Sequence, residues 1–438
     1  MLRELARLAG DAIEMARAAG ADDAFASATR SRDVEVQVRD GEVEKLQEST
    51  SRRLSLRLYV DGRYATYRTS DLRPEPLRRF VGDAVAMTRA LERDPFRLIP
   101  EPALYENRPT DDLQLEDGAV VALTGDQRVA LCLEMSERTR DHERLVSATV
   151  TSADSHSLVA SASSNGFSGH HRRTSHWRGG NVTLRGEGDA RPAGSFWAGA
   201  RHLADVPSAR QVGDRALAEA VRRLGAVQGP TARTTMVVEP RVGGRLVGSL
   251  LAPASADAFS NQRSFWRGRE DERVVAERLT LVDDPLVVRG LGSRLYDSEG
   301  ISSRRIPIIE SGQLANLYVD TYYGRKIERA PTTGSGSNLA LSPGERGLDA
   351  IVSDVPEGYL VTSWLGGNSN ATTGDFSFGL RGHRIENGQL TDTVQEMNIT
   401  GNLLELFAGL AEVGDDPWPY STFRTPTLAF EGVQFSGA

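Results

Sequence analysis

The chain opens on an amphipathic spacing. Leu2, Leu5, Leu8, Ile13 and Met15 recur among charges of both signs in "MLRELARLAGDAIEMARAAGADD", which predicts a helix ending near Gly20. Strand-like alternation follows in "DVEVQVRDGEVEKLQES" and "RLSLRLYVDGRYATYRTS", each broken by an Asp-Gly pair of the kind that closes hairpins. A second helical period covers about 75–93. The proline-rich "RDPFRLIPEPALYENRPTDD" has no period and reads as a surface connection. A helix at about 125–141 then leads into another strand series, "LVSATVTSADSHSLVASASSNGFSGHHRRTSHW". Helix followed by hairpins therefore occurs twice, a hint of two related α+β units. A further helix, about 212–224, ends in "GAVQGPTART", where the first half is expected to stop.

Beyond that point the pattern turns to strands with glycine-rich loops. "VVEPRVGGRLVGSLLAPASADAF" reads as a short apolar strand, a turn through Pro240 and a glycine pair, and a helix carrying Leu246, Val247, Leu250 and Leu251. "IIESGQL" and "RIENGQL" repeat one hairpin phrase, with glycine supplying the positive φ. "TTGSGSN" and "GGNSNATTGDFSFG" read as flexible loops, "NITGNLLELFAGL" as an apolar helix, and "TPTLAFEGVQF" as a closing strand. The expected fold class is α+β with mainly antiparallel or mixed sheets flanked by helices. The expected division is an N-terminal α+β domain at 1–226 and a β-rich C-terminal domain at 227–438.

Composition narrows the class. The 438 residues are 39% hydrophobic and 26% charged, as in a globular protein. A net charge of −8 argues against nucleic acid as a partner, and no apolar run reaches bilayer length. No signal-peptide core precedes the first helix, so a cytoplasmic location is expected. The single cysteine, Cys132, excludes an internal disulfide and reads as a small core hydrophobe.

Few stretches of the chain carry a recognisable chemical motif. Gly243, Gly244 and Gly248 lack phosphate-loop spacing, and no G-x-S-x-G elbow exists. Ser335 and Ser337 have no assignable base. His170, His171 and His176 cluster in "GHHRRTSHW", but Arg172 and Arg173 would oppose a cation there. His383 reads as a hairpin residue, and Asp283–Asp284 and Asp297/Glu299 as turn chemistry rather than acid–base pairs.

The set of phrases in the second half resembles a known family. "SFWRGREDERVVAERLTLVDDPLVVRGLGSRLYDSEGISSRRIPIIESGQLANLYVDTYYGRK", "TTGDFSFGLRGHRIENGQL", "NITGNLL" and "TPTLAFEGVQFSG" are similar to the TldD/PmbA (TldE) proteins, older described as modulators of DNA gyrase. In the first half, "VRDGEVEKLQES" and "SNGFSG" are compatible. In that family the TldD member is a zinc peptidase whose H-E-x-x-x-H motif lies on a helix after a strand, with a late cysteine completing the ligands. At the matching place this chain offers "GGRLVGSLLAPAS", without imidazole, carboxylate or thiol, and the region before "TPTLAF" reads "DDPWPYSTF", without cysteine.

The resemblance therefore implies the TldE/PmbA-like side of the family: a chain with no metal or cofactor of its own, working beside a TldD-type zinc peptidase that cuts leader or unfolded peptides. The partner is expected to be that homologue in a heterodimer, or a second copy in a homodimer, with peptide as substrate. Ser335, Ser337, Asn338, Asn368, Asn370, Asp375, Phe376 and Ser377 are the residues expected to face partner or peptide. Two alternatives stay open: a stand-alone peptide-binding or regulatory homodimer, and a peptidase using another site such as His170/His176 or Asp283/Asp284.

Overall fold

A computed structural model describes residues 1–438. Its first half contains α1 (Leu2–Ala18), β1 (Asp23–Arg39), β2 (Glu42–Val60), β3 (Arg63–Thr69) and α2 (Pro74–Arg89). After a one-turn α3 (Gly118–Ala122) come α4 (Gly125–Arg140), β4 (Leu145–Ser163), β5 (Ser168–Leu184), β6 (Ala193–Ala200) and α5 (Ala209–Val221). The six strands form one sheet, ordered β3-β2-β1-β4-β5-β6. The two helix–hairpin units meet along β1 and β4, which pair antiparallel from Phe25↔Ser163 to Arg39↔Thr149.

One face of this sheet lies under the helices. Leu5, Ala9 and Ala12 of α1 and Leu77 and Val81 of α2 pack on Ala24, Ala26, Ala28, Leu54 and Leu56. Cys132 and Met135 of α4 and Val212 and Ala216 of α5 pack on Val36, Val38, Val150 and Val182. Cys132 is fully buried, and burial pushes its thiol up to about 12, so it behaves as the expected core hydrophobe. β1 begins ten residues earlier than its apolar alternation suggests, because "DAFASATRSR" alternates alanine with serine and threonine, a weak hydrophobic signal. Both Asp-Gly turns form, with positive φ at Asp40, Gly41, Asp61 and Gly62.

The second half contains β7 (Ala232–Val238), α6 (Pro240–Leu251), α7 (Ala256–Ser260), β8 (Leu281–Asp283), β9 (Ile306–Glu310), β10 (Gln313–Leu314) and α8 (Thr321–Lys326). β11 (Leu339–Leu341), α9 (Leu348–Ser353), β12 (Glu357–Ser369), β13 (Asp375–Glu386) and β14 (Gln389–Asn402) follow. The chain ends with α10 (Leu403–Ala408), β15 (Leu410–Val413), β16 (Phe423–Arg424) and β17 (Leu428–Ser436). Strands β14-β13-β12-β7-β17 are neighbours in that order, and β17 returns to β14 through Asn398↔Ser436 and Ile399↔Phe435, closing a barrel. A smaller sheet, β10-β9-β8-β11-β16, stands beside it. Together they enclose a core of 40 buried residues, to which α6 contributes Leu246, Val247, Leu250 and Leu251.

Three sequence readings change here. "NITGNLLELFAGL" is not one helix: its first residues finish β14, and only Leu403–Ala408 is helical. "GGNSNATTGDFSFG" is not a flexible loop but mostly paired strand, with Asn368 opposite Ser377 and Ser369 opposite Phe376. Phenylalanines at alternate positions (Phe376, Phe378) bury one face, which is what draws the segment into the barrel. The proline-rich passage is a strap rather than a bare connection. Arg325 of α8 donates to the carbonyls of Phe96, Leu98 and Ile99, and Tyr322 donates to Asp94 at 2.8 Å.

Candidate functional site

α6 starts directly from the end of β7. Glu239 is the residue before the helix and Pro240 its first residue, where a missing N–H costs nothing. From Pro240 to Leu251 the helix carries no imidazole, carboxylate or thiol. One face is aliphatic, and Gly243 and Gly244 lie close to Thr425 and Phe423.

The carboxylate nearest the helix start is already engaged. Glu239, 6% exposed, accepts from Arg222 Nη2 at 2.7 Å and from Arg241 Nε at 2.9 Å. Glu219 accepts from the same two guanidiniums, from Arg222 Nη1 at 3.1 Å and from Arg241 Nη2. The four charges form a closed ring joining the end of α5 to the start of α6, and a carboxylate at a helix N-terminus also suits the helix dipole. His383 adjoins the ring: its Nε2 accepts from Arg222 Nε at 3.3 Å, and burial, with Arg222 alongside, lowers its pKa to about 4. It is therefore neutral at pH 7, and its Nδ1 lies 3.5 Å from Thr393 Oγ1.

This ring was not singled out in the sequence. Its available signal was Glu219, Arg222, Glu239 and Arg241 spaced i,i+3 and i,i+2 across a Pro-led helix start. Glu239→Gln leaves Arg222 and Arg241 with Glu219 as the one carboxylate of the ring and is expected to destabilise the chain by about 1–3 kcal/mol. A urea-unfolding midpoint within error of the parent would refute that assignment.

The donor set does not suit zinc, which needs about three protein ligands and an open position. No group of three His, Cys, Asp or Glu side chains converges anywhere in the chain. His170 and His176 do share a face of β5, but they sit six residues apart, roughly 20 Å along a strand, and cannot hold one ion. His176 Nε2 accepts from Arg178 at 2.9 Å, and burial next to Arg178 drives its pKa to about 3. Asp283 accepts from the backbone and hydroxyl of Ser337, and Asp284 from Leu286 N at 2.9 Å. Asp297 accepts from Glu299 N and Ile301 N, as turn chemistry requires.

The residues expected to face a partner fall into two groups. Ser337 and Asn338 turn inward, 4% and 1% exposed, because Ser337 is bound to Asp283 and Asn338 bridges Gly292 N, Ser293 and the Asp284 carbonyl. Their loop is anchored, and only Ser335 and the flanking glycines remain at the surface. The second group lies on the β12–β13 hairpin. Asn368, Asn370 and Asp375 are exposed and Ser377 half-buried, whereas Phe376 faces the core and stacks on Phe378. Asn370 Oδ1 accepts from Thr372 N at 2.9 Å and so closes the turn. α6 is tied to this hairpin: Arg245 donates to the carbonyls of Gly366 and Gly367, and Trp364 Nε1 donates to Val242 O at 2.9 Å. The structure thus brings α6 and the hairpin together, and seats the Ser335 loop elsewhere, on Asp283 and Arg294.

Three family models match in chain order: PmbA/TldA metallopeptidase domain 1 at residues 24–88, the central domain at 121–224 and the C-terminal domain at 231–437. The chain belongs to the PmbA/TldD family. A solved structure described as a putative modulator of DNA gyrase from Bacteroides thetaiotaomicron is 34% identical, with TM-score 0.96 over 99% of this chain and 98% of that one. TldE from Thermococcus kodakarensis shares the fold at TM-score 0.86 and 20% identity, covering 98% of this chain and 100% of that one. Metalloprotease PmbA of Escherichia coli O157:H7 is 24% identical over 95% of this chain and 92% of its own length. β7 and α6 both fall inside the C-terminal domain match. No helix is long and apolar enough to cross a membrane.

Proposed function

We propose that this chain is the metal-free subunit of a PmbA/TldD-type peptidase, paired with a homologue that carries the H-E-x-x-x-H helix and supplies zinc and hydrolysis. The observation that carries this reading is the chemistry of α6: after Pro240 its side chains are aliphatic, glycine, serine and two arginines, none able to ligate zinc, and the glutamate before it is already held by two arginines. What α6 keeps is its architecture. Its aliphatic face is buried in the 40-residue core, and Arg245 and Trp364 fix the neighbouring hairpin. A helix retained for packing but stripped of ligands suits a subunit that shapes and orders an active half borne by another polypeptide. The exposed hairpin residues Asn368, Asn370 and Asp375 are then the proposed surface toward partner or peptide.

The test is co-expression with an H-E-x-x-x-H homologue from the same organism, followed by cleavage of an unfolded peptide by each chain alone and by the pair. Co-purification and turnover confined to the pair are expected, at least a hundredfold above this chain alone. A homodimer that ignores the homologue and binds peptide without turnover would favour the regulatory alternative.

A further inference from the structure

The face of the first sheet away from the helices is open and unusually rich in hydroxyls. Odd-numbered residues of β1 point there and pair in register with like residues on both neighbours: Ser27 with Ser55 and Ser161, and Ser31 with Ser51 and Ser157. At one end of this face lies a cleft of about 770 Å³, walled by β5, residues 111–116 and residues 293–298. Two arginines line it without a counter-charge. Arg57 of β2 rests over the Phe25 ring, 5.0 Å from its centroid, and makes no hydrogen bond or ion pair within the chain. Arg173 of β5, an exposed residue, likewise makes no hydrogen bond or ion pair within the chain. His171 between them accepts or donates at Nδ1 to Tyr296 OH, 3.3 Å away, and its Nε2 has no partner.

The other charges around the cleft are largely spoken for. Arg294 spends its terminal nitrogens on the carbonyls of Gly336 and Ser335 and on Thr333. Asp297 accepts from two backbone amides on one oxygen and from Thr333 and Gly334 on the other. Glu116 is held between His156 at 2.7 Å and Arg172 at 3.7 Å. Asp111 and Asp112 lie exposed at the rim. The floor is therefore cationic and the rim weakly anionic.

The register separates the two free guanidiniums. Arg57 lies opposite Phe25, and Arg173 reaches Ser31 through Ser157, so they differ by six residues along the strands and by three strands across. At about 3.4 Å per residue and 4.8 Å per strand, their backbones are roughly 25 Å apart, too far for one carboxylate to serve both. We propose that this cleft binds an extended acidic peptide, with Arg57 and Arg173 each taking a different carboxylate and the serine hydroxyls bonding the backbone between them. The net charge of −8 and the aspartates at the rim disfavour the other extended polyanion, a single-stranded nucleic acid. The proposal deepens the peptide-handling reading above by naming the substrate class, and rests on it only for the ligand being a peptide.

The experiment uses the full chain alone, with no partner and no turnover, so its outcome is independent of whether the chain pairs. Fluorescence anisotropy at low salt compares labelled ten-residue peptides of alternating Glu-Ser and Lys-Ser with a ten-nucleotide oligothymidylate. The acidic peptide is expected to bind most tightly and to weaken with salt. Arg57→Ala with Arg173→Ala is expected to weaken it at least tenfold, with an unchanged circular dichroism spectrum. Asp111→Asn with Asp112→Asn, at exposed rim positions, is expected to tighten it about threefold, and decides the matter if the arginine variant misfolds. Equal binding of the Glu and Lys peptides, tighter binding of the oligonucleotide, or unaltered affinity in a folded double-arginine or rim variant would overturn the proposal. Acidic-peptide binding by a chain that never pairs would leave it standing and remove only the partner reading.

Discussion

Arg128→Ala is expected to destabilise the chain by about 3–5 kcal/mol, the cost of stranding a buried carboxylate. Arg128 on α4 is 1% exposed, and donates from Nε and Nη2 to the two oxygens of Asp154 at 2.6 and 2.8 Å. Nη1 caps the carbonyl of Leu123 at 2.6 Å, so every polar atom of the pair is engaged. Asp154 sits on β4 opposite Val34 of β1, at the seam between the two helix–hairpin units, where neither α1/α2 nor α4/α5 covers the sheet with aliphatic side chains. The pair fills that seam. Replacing both residues, Arg128→Met with Asp154→Leu, removes the stranded charge and is expected to restore most of the loss. Urea midpoints of the single and double variants measure this. A single variant as stable as the parent would show that the seam is wet.

The second large effect is acid sensitivity. Burial holds His171 and His383 at about 4 and His176 at about 3, all below the ordinary imidazole value. These groups are neutral in the folded chain, whereas the unfolded chain protonates them as pH falls through about 6.5. Their contribution to stability is therefore complete above pH 6.5 and is lost as pH falls toward 4. Each costs about 1.4 kcal/mol per pH unit within that window, so three acting together give a slope of roughly 4 kcal/mol per unit. Buried Asp283 and Glu299 are shifted up, so they oppose this trend at the lower end of the window. Unfolding midpoints are expected to drop steeply between pH 6.5 and 5, and His176→Gln is expected to flatten the slope. A pH-independent midpoint over that range would contradict the assignment of neutral buried imidazoles.

Local chemistry was legible in the sequence wherever it was decided locally. The Asp-Gly and Asn-Gly turns, the amphipathic α1 and the strand-to-helix junction at Pro240 each follow from positions within a few residues of one another. The family phrases were legible as a set, and with them the absence of ligands on α6. What escaped depends on partners distant in sequence. Ser337 and Asn338 look like a mobile glycine-rich loop because their anchor, Asp283, lies 54 residues away. Phe376 looks like loop until β12 pairs with β13 and its ring meets Phe378. Barrel closure rests on β17 meeting β14, and the Glu219–Arg222–Glu239–Arg241 ring on two helices from different halves. The cationic cleft is the extreme case: Arg57 and Arg173 share a surface only because four strands lie between and beneath them in register.

α6 has nothing with which to grip a divalent ion, and metal content tests that most directly. The chain purified alone, equilibrated with zinc and desalted, is expected to retain far less than one zinc per molecule. The pair with an H-E-x-x-x-H homologue is expected to retain one, lost when that homologue's motif histidines are replaced. One tightly held zinc on this chain by itself, with peptide cleavage that a chelator abolishes, would contradict it.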